Sequence, residues 1–323
     1  MTGSWRSKLL FSVAFGAVVF IALTIWADFD KLVAAFMDFN WAWAPVILLC
    51  TLLNYVFRYA KWEYYTRVLG MHPGRGKNLI IFFSAFTMAV TPGKLGEVLK
   101  SYLLKQVNGT PVSRSAPIVV AERLTDFIGL VLLLIVGAYV FDISRMAVVG
   151  FAVFFFAVTL LLAWRRGSLY VIDFLGRMPV IRRFAQHGHN AYESIHALLR
   201  PRPLAAATVL SIIAWFFECF GFWIILHVFE APPTVLKATF IYAFSTVIGA
   251  ASMLPGGLGT TEGSLTGLSI LAGATRDVAV ASTFIIRVAT LWFAVVLGIV
   301  VTFVFQHRLN VNIDEIPLDS ITS

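Results

Sequence analysis

Two stretches decide the fold: Pro92-Gly93-Lys94-Leu95-Gly96-Glu97 and Pro255-Gly256-Gly257-Leu258-Gly259-Thr260-Thr261-Glu262. Each interrupts a long apolar run, 79–105 in the first case and 235–274 in the second. Pro and Gly clusters end helices. Each break leaves arms of roughly 10–20 residues, where a helical crossing of a bilayer needs about 20. Irregular backbone at membrane depth survives only when protein or a water-filled cavity covers it. Both segments therefore read as re-entrant broken-helix hairpins.

The rest of the chain supplies the membrane context. Of 323 residues, 59% are hydrophobic and 13% charged, against roughly 45–50% and about 25% in soluble domains. Mean hydropathy is +0.85. This composition excludes a large soluble catalytic domain; the longest stretch that is polar on average runs from 165 to 203. Full spans are expected at about 42–59, 116–141, 146–164, 204–229 and 278–305, with a first helix ending near Ala27. That first apolar run is too long for the core of a signal peptide and is read as a retained helix. Cys50 and Cys219 lie in apolar runs and read as small buried hydrophobes.

Charge orients the spans. The net charge is +8, and lipid-facing topology, rather than nucleic acid, accounts for it, because cytoplasmic loops collect Lys and Arg. Arg6 and Lys8 precede the first helix, Arg67, Arg75 and Lys77 follow the second span, and seven arginines fill 165–203. All fall on one side if both broken segments return to the side they entered. The expected fold class is an all-α polytopic membrane protein with six full transmembrane helices, two re-entrant hairpins and both termini cytoplasmic.

The chain also repeats itself. Pro92-Gly93-x-Leu95-Gly96 recurs 163 positions later, and Arg123 and Arg287 follow the two prolines by 31 and 32 residues. Residues 1–145 and 146–306 each read as span, span, broken hairpin, span, with a short cytoplasmic tail at 307–323. The topology above makes the second copy inverted, a recurrent design of secondary transporters. Glu97 and Glu262 fall out of register by two positions, so the two tips read as chemically different.

Four groups carry candidate chemistry. At the first tip Lys94 stands beside Pro92, Gly93, Gly96 and Glu97, where free backbone N–H groups and a positive dipole end suit an anion; a structural turn capped by Glu97 is the plainer alternative. At the second tip Pro255, Gly256, Gly257 and Gly259 break the helix, and Glu262 falls in the first turn of the next. Glu122, Arg123 and Asp126 sit within one span, Glu122 and Asp126 on one face, with Arg287 as the mate of Arg123. They read as a buried network along a substrate or proton path, or as a structural ion-pair cluster. Asn54, Arg58 and Lys61 form a stripe expected at the cytoplasmic end of the second span, as headgroup contacts or as snorkelling side chains. Glu218, mid-span, requires a partner. No H-E-x-x-H, G-x-S-x-G or G-x-x-x-x-G-K-[ST] motif occurs, so neither an enzyme nor a metal or other cofactor is expected. His187, His189 and His196 read as solvated loop residues.

Taken together, Asn54-x-x-x-Arg58-x-x-Lys61-Trp62, Pro92-Gly93-Lys94-Leu95-Gly96-Glu97, Glu122-Arg123-Leu124-x-Asp126 and Pro255-Gly256-Gly257-Leu258-Gly259-x-x-Glu262 resemble the lysylphosphatidylglycerol synthase transmembrane-region family of flippase-like proteins. The resemblance implies movement of lipids between leaflets. Relatives are linked to aminoacylated phosphatidylglycerol, hopanoids and polyprenol-linked glycans, so it does not fix the lipid. Some carry a soluble aminoacyl-transferase domain. Here the sequence ends shortly after Phe305, so lysyl transfer is not expected. The expectation is a transporter of an anionic or glycosylated lipid in a bacterial-type inner membrane, with a lipid- or glycan-synthesis enzyme as a possible partner. An intramembrane enzyme or accessory subunit of such synthesis, or a small-solute or ion transporter, is the alternative.

The topology is testable with one cysteine. In a Cys50→Ala/Cys219→Ala background, Arg183→Cys should react with a membrane-impermeant maleimide only after the cells are opened. Labelling in intact cells would invert the topology.

Overall fold

The computed structural model describes residues 5–91, 97–138 and 191–309, together with the isolated positions 150 and 153. Pro92, Gly93, Lys94 and Gly96 lie outside the described residues, as do the expected span 146–164, residues 165–190 of the basic loop with His187 and His189, and the tail from 310. The described residues are helical, with no strand among them.

The chain opens with α1 (Trp5–Ala27) and α2 (Phe29–Asp38), then α3 (Ala44–Val68), whose Pro45 occupies the first turn. Next come α4 (Arg75–Ser84), continued by a 3-10 turn at Ala85–Met88, then α5 (Leu99–Asn108) and α6 (Val112–Ala138). Gly109, at φ 74°, closes α5 in the left-handed conformation common at helix ends. Residues 191–198 are helical and lead into α7 (Pro201–Val228). The second half continues with α8 (Val235–Ala251), α9 (Thr260–Leu271), α10 (Arg276–Arg287), a π turn at Val288–Trp292 and α11 (Phe293–Leu309).

The order long helix, broken pair, long helix thus occurs twice. In the second pair, Gly256, Gly257 and Gly259 all have positive φ, between 60° and 87°, which reverses the chain between α8 and α9 at no Cβ cost. The arms pack against each other. Their 17 and 12 residues give only about 26 and 18 Å of helix.

The two halves interlock. α3 packs along α7, where Asn54 Nδ2 donates to the Ala214 carbonyl at 2.8 Å. α6, which closes the first half, packs on α8 of the second. Reciprocally, α11 packs on α4 and the 3-10 turn of the first half. Gly298 permits that second contact: a Cβ there would run into Thr87 N and lie 2.7 Å from the Phe86 carbonyl carbon. Small residues of this kind let helix backbones approach closely in membranes.

Trp41–Val68, Pro201–Val228 and Arg276–Phe305 are long and apolar enough to cross a bilayer. α6 is 27 residues long, enough for a crossing, but carries Glu122, Arg123 and Asp126. Apolar side chains such as Ile25, Leu271 and Val296 are exposed around the bundle, as expected where hydrocarbon is the solvent. α3 differs from the sequence reading. It continues nine residues past 59, so Arg58 and Lys61 lie within the helix and not at its end. The fall in hydropathy there reflects a polar interior, since Lys61 is paired inside the bundle and the helix has no need to stop.

Gly298→Ala should destabilise the protein by about 1–3 kcal/mol through overpacking, read as a lower Tm in detergent. Gly267→Ala, where a Cβ meets nothing within 4 Å, should leave Tm unchanged or raise it. Equal effects would mean that the α11 contact is not tight.

Candidate functional site

The two breaks are held by the same ion pair. Arg123 on α6 donates through Nη2 to both carboxylate oxygens of Glu97, at 2.7 and 2.6 Å. Arg287 at the end of α10 donates through Nε to Glu262 Oε1 at 2.5 Å and through Nη2 to the Gly256 carbonyl at 2.7 Å. The other oxygen of Glu262 accepts the Gly259 N–H at 2.6 Å, closing the first turn of α9. The two tips share this ion pair although their glutamates fall out of register in the sequence. The second tip carries two extra residues, Thr260 and Thr261, which shift Glu262 in sequence but not in role. Thr260 Oγ1 donates to the Gly257 carbonyl at 3.1 Å, folding the insertion into the turn.

Behind the first pair lies a second layer of charge. Lys61, 1% exposed, donates to Asp126 Oδ1 at 2.5 Å and to Ser211 Oγ of α7 at 2.8 Å. Ser211 donates in turn to the same Asp126 oxygen at 3.1 Å. Lys100 is bonded to Glu122 and stands 4.6 Å above the Trp62 ring. Arg58 Nη2 is 3.6 Å from Glu97 and its guanidinium lies over the Phe86 ring. Four cations thus face three carboxylates in this cluster, so its formal charge is positive. A lone buried ion would be costly; the network supplies each carboxylate with a cation.

The paired arginines border one cavity of about 310 Å³ at the meeting of the halves. Arg58, Glu97, Arg123 and Asp126 line it from the first half. Gly256, Gly257 and Arg287 line it from the second, with Glu218 and Tyr242 beside them. Between these polar groups the wall is apolar, with Ala85, Ala89, Phe127 and Leu130 among its residues. Such a hollow accommodates a polar group attached to something greasy. Of the other residues singled out from sequence, Asn54, Lys61, Glu122 and Glu262 sit behind the wall and hold it in place. Pro255 is buried within the break and Gly259 caps α9.

The partner that Glu218 requires, and the site residues Tyr55, Ser211 and the cavity-lining Trp215, escaped the sequence reading. Glu218 is bonded to the Tyr242 hydroxyl at 2.7 Å. Tyr55 donates to the Thr290 carbonyl at 2.8 Å; that carbonyl lies in the π turn that follows Arg287. Tyr55 and Glu218 lie 163 positions apart, the repeat spacing, so the signal was present for both. Ser211 and Trp215 carried none. Among the described residues no group of three or more His, Cys, Asp or Glu could hold a metal ion.

Comparison with known proteins agrees with this arrangement. The family model described as "Lysylphosphatidylglycerol synthase TM region" matches residues 10–298. The chain belongs to that family. Its relatives include a UPF0104 membrane protein of Methanothermobacter thermautotrophicus, 23% identical over 97% of this chain and 98% of that one. A UPF0104 membrane protein of Methanocaldococcus jannaschii is 20% identical over 94% and 96%, and one of Pyrococcus horikoshii is 20% identical over 88% and 94%. This chain of the lysylphosphatidylglycerol synthase transmembrane-region family is an integral membrane protein. The matched residues include both breaks and both arginines.

The two ion pairs should differ in their tolerance of damage. Arg287→Ala leaves Glu262, which is fully buried, facing a lost cation, at a cost of about 3–5 kcal/mol. Arg123→Ala leaves Glu97 near Arg58 and Lys100, at 3.6 and 4.0 Å, and should cost less. Thermal unfolding in detergent ranks them; an equal or reversed order would show that the neighbouring cations do not compensate.

Proposed function

We propose that this protein moves an anionic or glycosylated lipid between the leaflets of a bacterial-type cytoplasmic membrane. The observation that carries the reading is the cavity walled by both halves, with arginines on each side and apolar surface between them. A flippase must strip a charged headgroup from water and carry it past hydrocarbon. Exposing that charge to lipid would be prohibitive, so the route must offer positively biased polar surface. Arg58, Arg123 and Arg287 provide it, while the acyl chains remain outside in the bilayer. A purely hydrophilic solute would gain nothing from the apolar wall.

In this reading the two halves are an inverted repeat, and the breaks are re-entrant hairpins that enter from opposite faces. The six spans bring both termini to the cytoplasm, and rocking of one half against the other exposes the cavity to each leaflet in turn. The sequence of the first break also carries Lys94, a further positive charge. The reading is of transport without a chemical step, with an enzyme that makes the lipid as partner.

Vesicles containing the purified protein, a fluorescent phosphatidylglycerol and a fluorescent phosphatidylcholine test the proposal. Wild type should translocate the anionic lipid several-fold faster than protein-free vesicles. Lys94→Gln should slow it more than it lowers expression or Tm, and Lys94→Arg should keep part of the activity, since charge remains while geometry changes. Rates equal to those of empty vesicles for anionic and glycosylated lipids would overturn the function. Equal rates for both lipids in wild type and Lys94→Gln would reduce the first tip to a structural turn.

A further inference from the structure

A second hollow lies outside the central cavity. A groove of about 640 Å³ runs between α4 and α11. Its wall is apolar over Leu79, Ile80, Phe83, Val301 and Phe305, and its end is polar, at Lys77 and His307. From Lys77 to Phe83 the wall is about 9 Å long at 1.5 Å per residue. Lys77, Leu79 and His307 are exposed. The first turn of α4 carries no side-chain cap, and a Cβ at Gly76 would meet nothing within 4 Å. One end thus offers open space, a cation and free backbone N–H groups, and the other offers hydrocarbon. That polarity matches an anionic amphiphile lying alongside the helices.

A layer of touching aromatic rings separates the groove from the cavity. Phe83 lines the groove, whereas Tyr55 and Phe86 line the cavity. The three rings touch: Phe83–Phe86 at 5.5 Å, Tyr55–Phe86 at 4.9 Å and Tyr55–Phe83 at 6.5 Å between centroids. On α11 the same boundary falls between Ala294, in the cavity wall, and Val301, in the groove. Gly298 lies between those two positions and presses against the Phe86–Thr87 backbone.

We propose that the α4–α11 groove binds one anionic membrane lipid, its phosphate at Lys77 and His307, and that the Tyr55–Phe83–Phe86 partition is the door through which the headgroup enters the central cavity. The door rests on the transport reading above; the lipid site does not. Opening the partition is a matter of side-chain rotation, because the rings meet edge to face, with the Tyr55–Thr290 hydrogen bond released as they part. The Gly298 contact keeps the backbones on either side fixed while the rings move.

The test uses the full chain in vesicles containing phosphatidylglycerol or phosphatidylcholine, each with a photoactivatable diazirine near the glycerol, and maps labelled residues by mass spectrometry. Phosphatidylglycerol should label 79–83 and 301–305 at least several-fold above the lipid-facing residues Ile25 and Val46. Lys77→Gln, at an exposed position that leaves folding unaffected, should reduce phosphatidylglycerol labelling there about threefold or more without changing that by phosphatidylcholine. Phe83→Ala should bring label onto cavity residues Ala89 and Phe127, with Phe83→Leu as a milder variant in the same direction. Groove labelling no higher than at Ile25 and Val46, or no response to Lys77→Gln, overturns the lipid site. Cavity labelling unchanged in both Phe83 variants overturns the door. None of these readouts requires translocation, so failure of the transport assay would refute the function and leave the groove to stand or fall by its own labels.

Discussion

Charge inside a low-dielectric bundle is the constraint on which the rest of the structure depends. Nothing in hydrocarbon solvates a carboxylate, so each buried acid must meet a cation or a donor within the fold. The Glu97–Arg123 and Glu262–Arg287 pairs meet that requirement at the two places where helical backbone is interrupted. They do more than neutralise. Arg287 also binds the Gly256 carbonyl, and Glu262 also binds the Gly259 N–H, so one ion pair satisfies backbone groups that the break has released. Broken helix and buried charge are therefore a single device, and each makes the other tolerable.

The two copies of that device are embedded differently. In the first half Glu97 has Arg58 and Lys100 as further neighbours, and Lys61, Asp126 and Ser211 extend the network to α7. In the second half the positions matching Lys61 and Glu122 are Ile224 and Ile286, both buried and apolar. Polar reinforcement is thus concentrated on one side of the cavity, and the opposite side offers Glu218 and Tyr242 instead. The cavity is symmetric in architecture and asymmetric in chemistry.

Much of this was legible in the sequence for identifiable reasons. The glycine-rich breaks stand out because Pro and Gly are rare punctuation in apolar runs, and the repeat of Pro-Gly-x-Leu-Gly ties them together. Arg123 and Arg287 were matched by spacing alone. The pairing of those arginines with glutamates was less accessible, because Thr260 and Thr261 displace Glu262 by two positions and a fixed offset cannot see through an insertion. The end of α3 was misplaced for a different reason. Hydropathy treats Arg58 and Lys61 as water-seeking, whereas the fold gives them carboxylates. The amphipathic helix α2, with Leu32 and Ala35 buried against the bundle, was not singled out, since ten residues with three charges look like a connector until a partner face is known.

The reciprocal packing of α6 on α8 and of α11 on α4 has a consequence for how the protein is made. A nascent chain emerges in order, yet α4 and the 3-10 turn after it obtain part of their cover from the last helix. Tyr55 waits for a carbonyl 235 positions downstream, Asn54 for one 160 downstream and Lys61 for a hydroxyl 150 downstream. Until then these polar groups of α3 lack the partners that α7 and the π turn supply. Contacts so distant in sequence slow assembly, and the half-made bundle exposes polar surface to lipid throughout. The interface between the halves is thus completed only as the last helices arrive.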